Sequence, residues 1–347
     1  MSNAEPPRGH LFTTAAFLTP LAASAQADTG WIALTDVATA APCWQKHHSW
    51  GEFVFDHRFA QAYAQHGLDY YPKLVCALPF TPVPGPRLGL QPARAAQNLL
   101  QQCAAQACSS VHVLFADSEE VAALDSPEWL LRQDIRYVWR NRDYTDFEAF
   151  LAALTSKRRK TLRTERRQVA AYGMTLQWQP GDAFSPDQWD RLYALYASTY
   201  HMRGQHPYLH PDTLRGWAAA LGPQMQICTA TLHDEIVAMA FFFRDATHLY
   251  GRHWGAARDW PGLHFELCYY QGIDYAIREG LQLFDAGVQG QHRLLRGFEP
   301  EVSQSLHHFR DPRFAGAIGN YLEQERQAVT AEWAAQRAHT AFRNLAA

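Results

Sequence analysis

The residues best suited to chemistry gather at two neighbouring runs, Leu249–Ala256 (LYGRHWGA) and Leu263–Gln271 (LHFELCYYQ). Arg252, His253 and Trp254 close a strand-like run, and His264 and Glu266 open the helical run after it. In α/β proteins, sites form where strands end and helices begin. Deprotonating an amine needs a histidine or glutamate of tuned basicity. Further along, Asp285–Pro300 reads DAGVQGQHRLLRGFEP. Its glycines let the backbone approach a ligand, and its arginines can grip phosphate or carboxylate with paired N–H groups. We therefore expect His253, His264, Glu266, Asp285 and His292 to converge on one catalytic centre. Glu266 or His264 would be the base, Asp285 would orient a partner, and Arg252, Trp254, Gln289, Arg293 and Arg296 would hold the substrate. The competing reading is that His264 and Glu266 only cap and pair within their helix.

A second charged segment is SKRRKTLRTERR, from Ser156 to Arg167. If Ser156 caps a helix, Lys157, Arg158, Arg159 and Lys160 crowd its first turn. The macrodipole disfavours cations at that end, while free N–H groups there attract phosphate. Lys157, Arg159, Lys160 and Arg163 are thus candidates to bind an anionic part of a substrate, against the plainer reading of a solvated basic face. A third cluster lies in the first half. His48–Asp56 (HSWGEFVFD) and Tyr70–Leu74 (YYPKL) alternate polar and aromatic residues beside the rigid PFTPVPGP loop. Glu52, Tyr71 and Lys73 could wall an acceptor site, or merely form buried edge pairs.

Several chemistries are excluded. His264-Phe265-Glu266 matches the H-x-E of zinc deaminases, but the partner P-C-x-x-C is missing. No G-x-G-x-x-G or Walker pattern occurs, and no G-x-S-x-G elbow, which disfavours a serine intermediate. Cys268 lies four residues from His264 but on an apolar helical face, where a thiol is packing. The six cysteines include no C-x-x-C pair, so we expect free, buried thiols in a reducing compartment and no metal. A net charge of −3 restricts any nucleic-acid contact to a local patch. No apolar run is long enough to cross a bilayer. Leu11–Ala27 ends in small residues like a signal peptide, but it is interrupted by Thr13, Thr14, Thr19 and Pro20 and preceded by Glu5. We read it as an amphipathic surface helix and the protein as cytoplasmic.

The elements that must position these residues are set by periodicity. In the first half we expect strands at Trp31–Val37, Cys43–His48, Leu74–Leu78, Ser110–Phe115 and Asp134–Arg140. They alternate with helices at Arg58–His66 and Pro92–Ala107 and a short one begun by an Asp117/Glu120 capping box. That alternation argues α/β. Phe147, Phe150, Leu151 and Leu154 then keep helical spacing, and further helices are expected at Pro186–Tyr200 and Pro211–Leu221. Strands at Met225–Leu232, Ile236–Arg244 and His248–Trp254 form a meander. A helix stopped by Gly280, a strand at Leu281–Asp285 and a helix from Pro312 to about Asn344 complete the chain. The length favours two domains, residues 1–143 and 144–347, meeting near Tyr144 with a cleft between them. The halves share a loose element order.

With these segments in hand, the chain resembles a known family. HSWGEFVFD, YYPKL, PFTPVPGPRL, SKRRKTLRTERR, LYGRHWGA, LHFELCYYQGIDYAI and FDAGVQGQHRLLRGFEP are similar, in the same order, to the signature blocks of a bacterial family of predicted Fem-like N-acyltransferases in the GNAT superfamily. The resemblance implies two tandem GNAT-like domains, each a mixed sheet flanked by helices. It also implies transfer of an acyl or aminoacyl group to a small-molecule or peptide amine. The donor would be acyl-CoA or, as in Fem-type enzymes, aminoacyl-tRNA, arriving as a co-substrate with no permanently bound cofactor. The CoA pyrophosphate loop of simple GNAT enzymes is not evident. A non-catalytic module that recognises a peptide or cell-wall fragment is the rival from a different class.

Overall fold

The computed structural model describes residues 10–28, 30–34, 42–287 and 290–343. The chain divides into two compact units, Met1–Ile135 with Val302–Glu332, and Arg136–Glu301 with Trp333–Ala347. This differs from a split at 143/144 in two ways. The divide falls inside a strand, and a later stretch returns to the first unit.

In chain order the first unit holds α1 (Ala15–Asp28), β1 (Trp31–Ala33), β2 (Cys43–Lys46), α2 (His57–Gln65), β3 (Lys73–Cys76), α3 (Pro92–Ala105), β4 (Ser110–Ala116) and α4 (Ser118–Ala123). Strand β5 (Leu130–Arg140) carries the chain past the divide. The second unit holds α5 (Phe147–Ala153), α6 (Ser156–Ala170), β6 (Thr175–Pro180), α7 (Pro186–His201), α8 (Pro211–Leu221), β7 (Met225–Leu232), β8 (Glu235–Arg244) and β9 (His248–Ala256). Next come α9 (Leu263–Phe265), one π-helical turn (Glu266–Tyr270), α10 (Gln271–Arg278) and β10 (Leu283–Asp285). The chain ends with β11 (Glu299–Phe309) and α11 (Pro312–Ala338).

In the first unit β1, β2 and β3 pair antiparallel, β3 and β4 parallel, and β4 and β11 antiparallel. One core forms around Leu74, Leu99, Val111 and Val113, another around Phe59, Tyr63, Phe309 and Phe314. The second core explains why 302–332 belongs to this unit. Phe309 and Phe314 bury their rings there, although the alternating run Glu299–Phe309 gave no expected strand. The segment from Leu11 is helical, with Phe12, Phe17, Leu18 and Leu21 buried and Ala15 and Thr19 exposed. The expected strand to Val37 is described only as far as Ala33 and Leu34, because residues 35–41 lie outside the described residues. Asp117 does cap α4 by accepting from the Glu120 N–H. The Glu120 carboxylate does not complete the capping box, because it accepts from the Arg87 and Leu88 N–H groups instead.

In the second unit β7 to β9 form the expected antiparallel meander, joined by the unforeseen β6. Strand β10 then lies parallel to β9 and antiparallel to β5. The meander is apolar on both faces, with Phe241, Phe242 and Phe243 all buried, as expected when helices cover both sides of a sheet. Among the described residues no helix is long and apolar enough to cross a membrane, and all six cysteines are free.

The packing of α7 on β9 turns on Gly255. A Cβ there would collide with the backbone carbonyl of Leu195, and backbone cannot swing aside like a side chain. We predict that Gly255→Ala lowers stability by about 3 kcal/mol, the upper range for overpacking, read from urea unfolding. An unchanged midpoint would show that α7 does not sit this close to β9.

Candidate functional site

Strands β9 and β10 run together only from His248/Leu283 to Tyr250/Asp285. Beyond that point β9 continues to Ala256 while β10 stops, so a gap opens on the side where β10 would have been. The β8–β9 ladder also shifts register there. Phe241 faces His253 and Phe242 faces Gly251, leaving Arg252 as the extra residue of a bulge. A bulge breaks the strict in–out alternation of a strand and re-aims side chains. As a result Arg252, His253 and Trp254, consecutive in sequence, all line one cleft. Its free space is about 380 Å³, and its other walls include Phe242, His264, Tyr269 and Arg293.

The helix opposite reaches the cleft through its π turn. One extra residue in the turn rotates every residue after it, a distortion common at functional sites. His264, Cys268 and Tyr269 line the cleft, whereas Glu266 and Tyr270 engage α6. Glu266 is buried and ion-paired to Arg166 at 3.1 Å, and it accepts from Gln271 Nε2 at 2.9 Å. The expected convergence of Glu266 with the histidines is therefore corrected. It is not among the residues lining the cleft, because two residues on from His264 it lies on the opposite side of the helix, facing a cation on α6.

Asp285 is fully buried at the fork of β9 and β10. Its carboxylate lies 2.9 Å from Arg136 and 3.5 Å from Arg252 and accepts the Gly287 N–H at 2.6 Å. Burial alone would raise its pKa, but Arg252 and Arg136 hold it below the ordinary carboxylate value. His253 packs against Tyr196 and Phe241, and burial, aided by Arg252, pushes its pKa down to about 3. His264 lies edge-on to Trp254 and Tyr269. Burial, then His292, Arg293 and Arg296, lowers its pKa to about 4. His292, lowered by burial and then by Arg293 and Arg296, sits with Nε2 2.9 Å from the Tyr269 hydroxyl. All three imidazoles are neutral at physiological pH. Burial raises the Cys268 thiol, so it lines the cleft as a thiol.

Arg296 does not reach the cleft. It donates to the Tyr270 hydroxyl at 2.9 Å, to His292 O at 2.9 Å and to Glu165 at 2.8 Å, and it stacks on Phe265. Arg293 does line the cleft, 5.5 Å from the Tyr269 ring centre. Gln289 lies outside the described residues.

A second concavity, with about 1070 Å³ of free space, flanks α6. The helix begins at Ser156 as anticipated, though its N-cap is Thr155 and makes no side-chain cap bond. Arg159, Lys160, Arg163, Arg166 and Arg167 line the groove over an apolar floor of Phe147 and Leu151. Lys157 is exposed and is not among the lining residues. Arg163 is paired to Glu148, and Arg166 to Glu266.

In the first unit Glu52, Tyr71 and Lys73 do come together. Lys46 and Lys73 stand directly opposite each other on β2 and β3, both fully buried, an arrangement that like charges disfavour. Lys73 Nζ is held by Glu52 at 2.7 Å, by Asp56, and by Ser49 Oγ at 2.9 Å, which also contacts the Tyr71 hydroxyl at 2.8 Å. Lys46 donates to Trp50 O at 3.0 Å over the Trp31 ring. Burial, with the Lys73 charge adding to it, drops its pKa to about 7 against the pull of Glu52, and burial lifts Glu52 to about 7. From Asp56 the network runs through the Tyr70 hydroxyl (2.6 Å) to His112 Nε2 (3.0 Å), whose Nδ1 lies 2.6 Å from His307 Nδ1. Asp56, Tyr70, His112 and His307 were not expected here. Their only sequence signal is that Asp56 and Tyr70 sit inside HSWGEFVFD and YYPKL, and His307 arrives from a strand far along the chain.

A family profile named FemAB-like and described as peptidoglycan biosynthesis/recognition matches residues 3–344. No curated protein sequence matches the chain. Among solved structures, FemX aligns at 10% identity over 90% of this chain and 95% of its own, with a TM-score of 0.51. L-PGS from Bacillus licheniformis aligns at 12% identity over 72% of this chain and 82% of its own, also at 0.51. A tandem GNAT protein from the clavulanic acid biosynthesis pathway aligns at 12% identity over 71% and 77%, at 0.39. The fold class matches expectation in being α/β, mixed-sheet strands flanked by helices, with a long C-terminal helix.

The buried histidine pair generates a pH prediction. His307 has a folded pKa of about 3 and His112 one well below its ordinary value, both chiefly through burial. Unfolded, each would titrate near about 6.5. The folded state therefore binds fewer protons, so the stability these groups allow is present above about pH 6.5 and is lost as pH falls toward 3. Glu52, with its raised folded pKa, acts in the opposite sense between about pH 7 and its unfolded value near about 4.3, so a comparison of variants isolates the imidazole. Wild type should lose stability faster than His307→Gln between about pH 6 and 4, by about 1.4 kcal/mol per pH unit. Parallel curves from urea unfolding at each pH would show that His307 is not buried neutral.

Proposed function

Because the chain belongs to the FemAB-like family, we propose that it is a transferase that moves an acyl or aminoacyl group from an activated donor onto an amine in the β9–β10 cleft. The observation that carries this reading is the fork itself. A parted strand pair, a bulge at Arg252 and two neutral imidazoles face one small, largely aromatic cavity. The amine nitrogen attacks the donor carbonyl, forming the N–C bond as the C–S or C–O bond to the carrier breaks. Backbone N–H groups at the bulge are suited to the oxyanion, where preorganised donors contribute most. His264 has a vacant ring nitrogen at neutral pH, accepts the amine proton and passes it to the leaving group. Glu266 acts through position, by fixing α6 through Arg166.

Acyl-CoA is the favoured donor, since the cleft is small and the net charge acidic. The α6 groove favours a second reading, aminoacyl-tRNA, because clustered cations over an apolar floor suit a phosphate backbone. A peptide amine acceptor fits the family description. A binding module without catalysis is the remaining alternative.

His264→Gln keeps shape and hydrogen bonding but cannot take a proton. In an assay of labelled acyl transfer from acyl-CoA or charged tRNA to an amine panel, turnover should fall by about 10²–10⁴-fold with Tm unchanged. Preserved turnover per folded molecule would assign His264 to packing, and no transfer by wild type from either donor would leave the binding-module reading. For the groove, Arg159→Gln with Lys160→Gln should weaken whichever donor binds, measured by CoA calorimetry and by tRNA gel shift, without lowering Tm. Unchanged affinity for both would make α6 a solvated face.

A further inference from the structure

The cleft carries an imbalance of charge that acyl transfer alone does not use. Arg252 has a side chain only 4% exposed, and Asp285, the carboxylate it faces at the fork, is shared with Arg136. Arg136 and Arg140 divide Glu301 between them. Three guanidiniums thus share two carboxylates, Arg293 adds a fourth cation with no carboxylate partner among the described residues, and the three nearby histidines are neutral. Arg140 is one-third exposed and solvated, so the uncompensated charge falls on the cleft side, at Arg293. Arg293 Nε is buried with no hydrogen-bond partner among the described residues, and its Nη1 reaches Gly287 O only at 3.4 Å. The guanidinium also meets the Tyr269 side chain, but a buried Nε–H without a partner is costly and rare, and it marks a place where a ligand acceptor belongs.

We propose, resting on the acyl-transfer reading of this cleft, that the amine acceptor is an α-amino acid or an equivalent amine whose neighbouring carbon bears a carboxylate, and that Arg293 holds that carboxylate. A planar two-oxygen anion matches the edge of a guanidinium. Polyphosphate already has a better-suited place, the five-cation groove on α6. Both groups neighbour one ring: Tyr269 lies 5.5 Å from His264 and 5.5 Å from the Arg293 guanidinium. A carboxylate held by Arg293 keeps the amine on its neighbouring carbon inside the cleft that His264 also lines. The aromatic walls, Phe241, Phe242 and Trp254, suit an apolar side chain. The arrangement also couples binding to basicity. Arg293 is one of the charges that depress His264, so neutralising it with a carboxylate moves His264 toward the range of an effective base. An amine without the carboxylate leaves His264 weak.

The test needs no acyl donor, so it can fail while acyl transfer to other amines still stands. Calorimetry on the full chain compares L-phenylalanine and L-leucine with phenethylamine and 3-methylbutylamine, which lack only the carboxylate. The amino acids should bind at least about tenfold more tightly, the size of one charge-assisted contact. Arg293→Gln should erase that preference, and Arg293→Lys, which keeps the charge and guards against a folding defect, should restore part of it. Inorganic phosphate should not compete. Equal binding of both members of each pair, no binding of either amino acid, a preference that survives Arg293→Gln, or competition by phosphate would each overturn the assignment.

Discussion

The carboxylate of Asp285 is the point on which the second unit's site depends. It is the last residue of β10 paired to β9, and it is buried between Arg136 and Arg252. Two opposing effects act on it. Burial penalises its charge, and the flanking guanidiniums favour it strongly enough to hold it ionised. With one ionised oxygen atom shared between two cations, Arg252 is fixed at the mouth of the fork just where β9 bulges. Strand separation, bulge and ion pair are thus one device. The strands can part because buried charge pairing takes over where ladder hydrogen bonds end.

The helix across the cleft is tuned by backbone geometry. Helical spacing places His264 and Cys268 on one face and Glu266 and Tyr270 on the opposite one, toward α6. The π turn at Glu266–Tyr270 brings Tyr269, five residues on from His264, round to the cleft side as well. Gly272 allows this helix to lie close, because a Cβ there would press into the Phe284 ring. On the α6 side, Glu165, Arg296 and Tyr270 close a second network, which explains why an arginine expected to meet the substrate is consumed within the fold.

The first unit solves a different problem. Two fully buried lysines in register on neighbouring strands would repel each other in a medium with little screening. Glu52 and Asp56 supply the opposite charge, while burial draws the Lys46 pKa down and the Glu52 pKa up. Breaking such a set by removing one member is far more costly than never having built it. That asymmetry accounts for so many polar groups sharing one interior, from Ser49 to His307.

Periodicity and composition determined a great deal unaided. The meander from Met225 to Ala256, the helices at Pro92, Pro186 and Pro211, the α/β class and the clustering of His253, His264, Arg252 and Arg293 were all legible, because they rest on local spacing and on neighbours in the chain. The family was legible in blocks such as LYGRHWGA and FDAGVQGQHRLLRGFEP. Tertiary structure alone decided the rest. Glu266 and His264, two residues apart, lie on nearly opposite sides of one helix, and only packing decides which side meets the cleft and which meets Arg166 on α6. Arg293 and Arg296 are both arginines of one short loop, and only packing shows that Glu165 and Tyr270 claim the second and leave the first to the cleft. The membership of 302–332 in the first unit, and of His307 in its buried network, comes from pairing between residues nearly two hundred positions apart. Side-chain type can be read along a chain, but the partner that uses up its charge is set by contacts that only folding brings together.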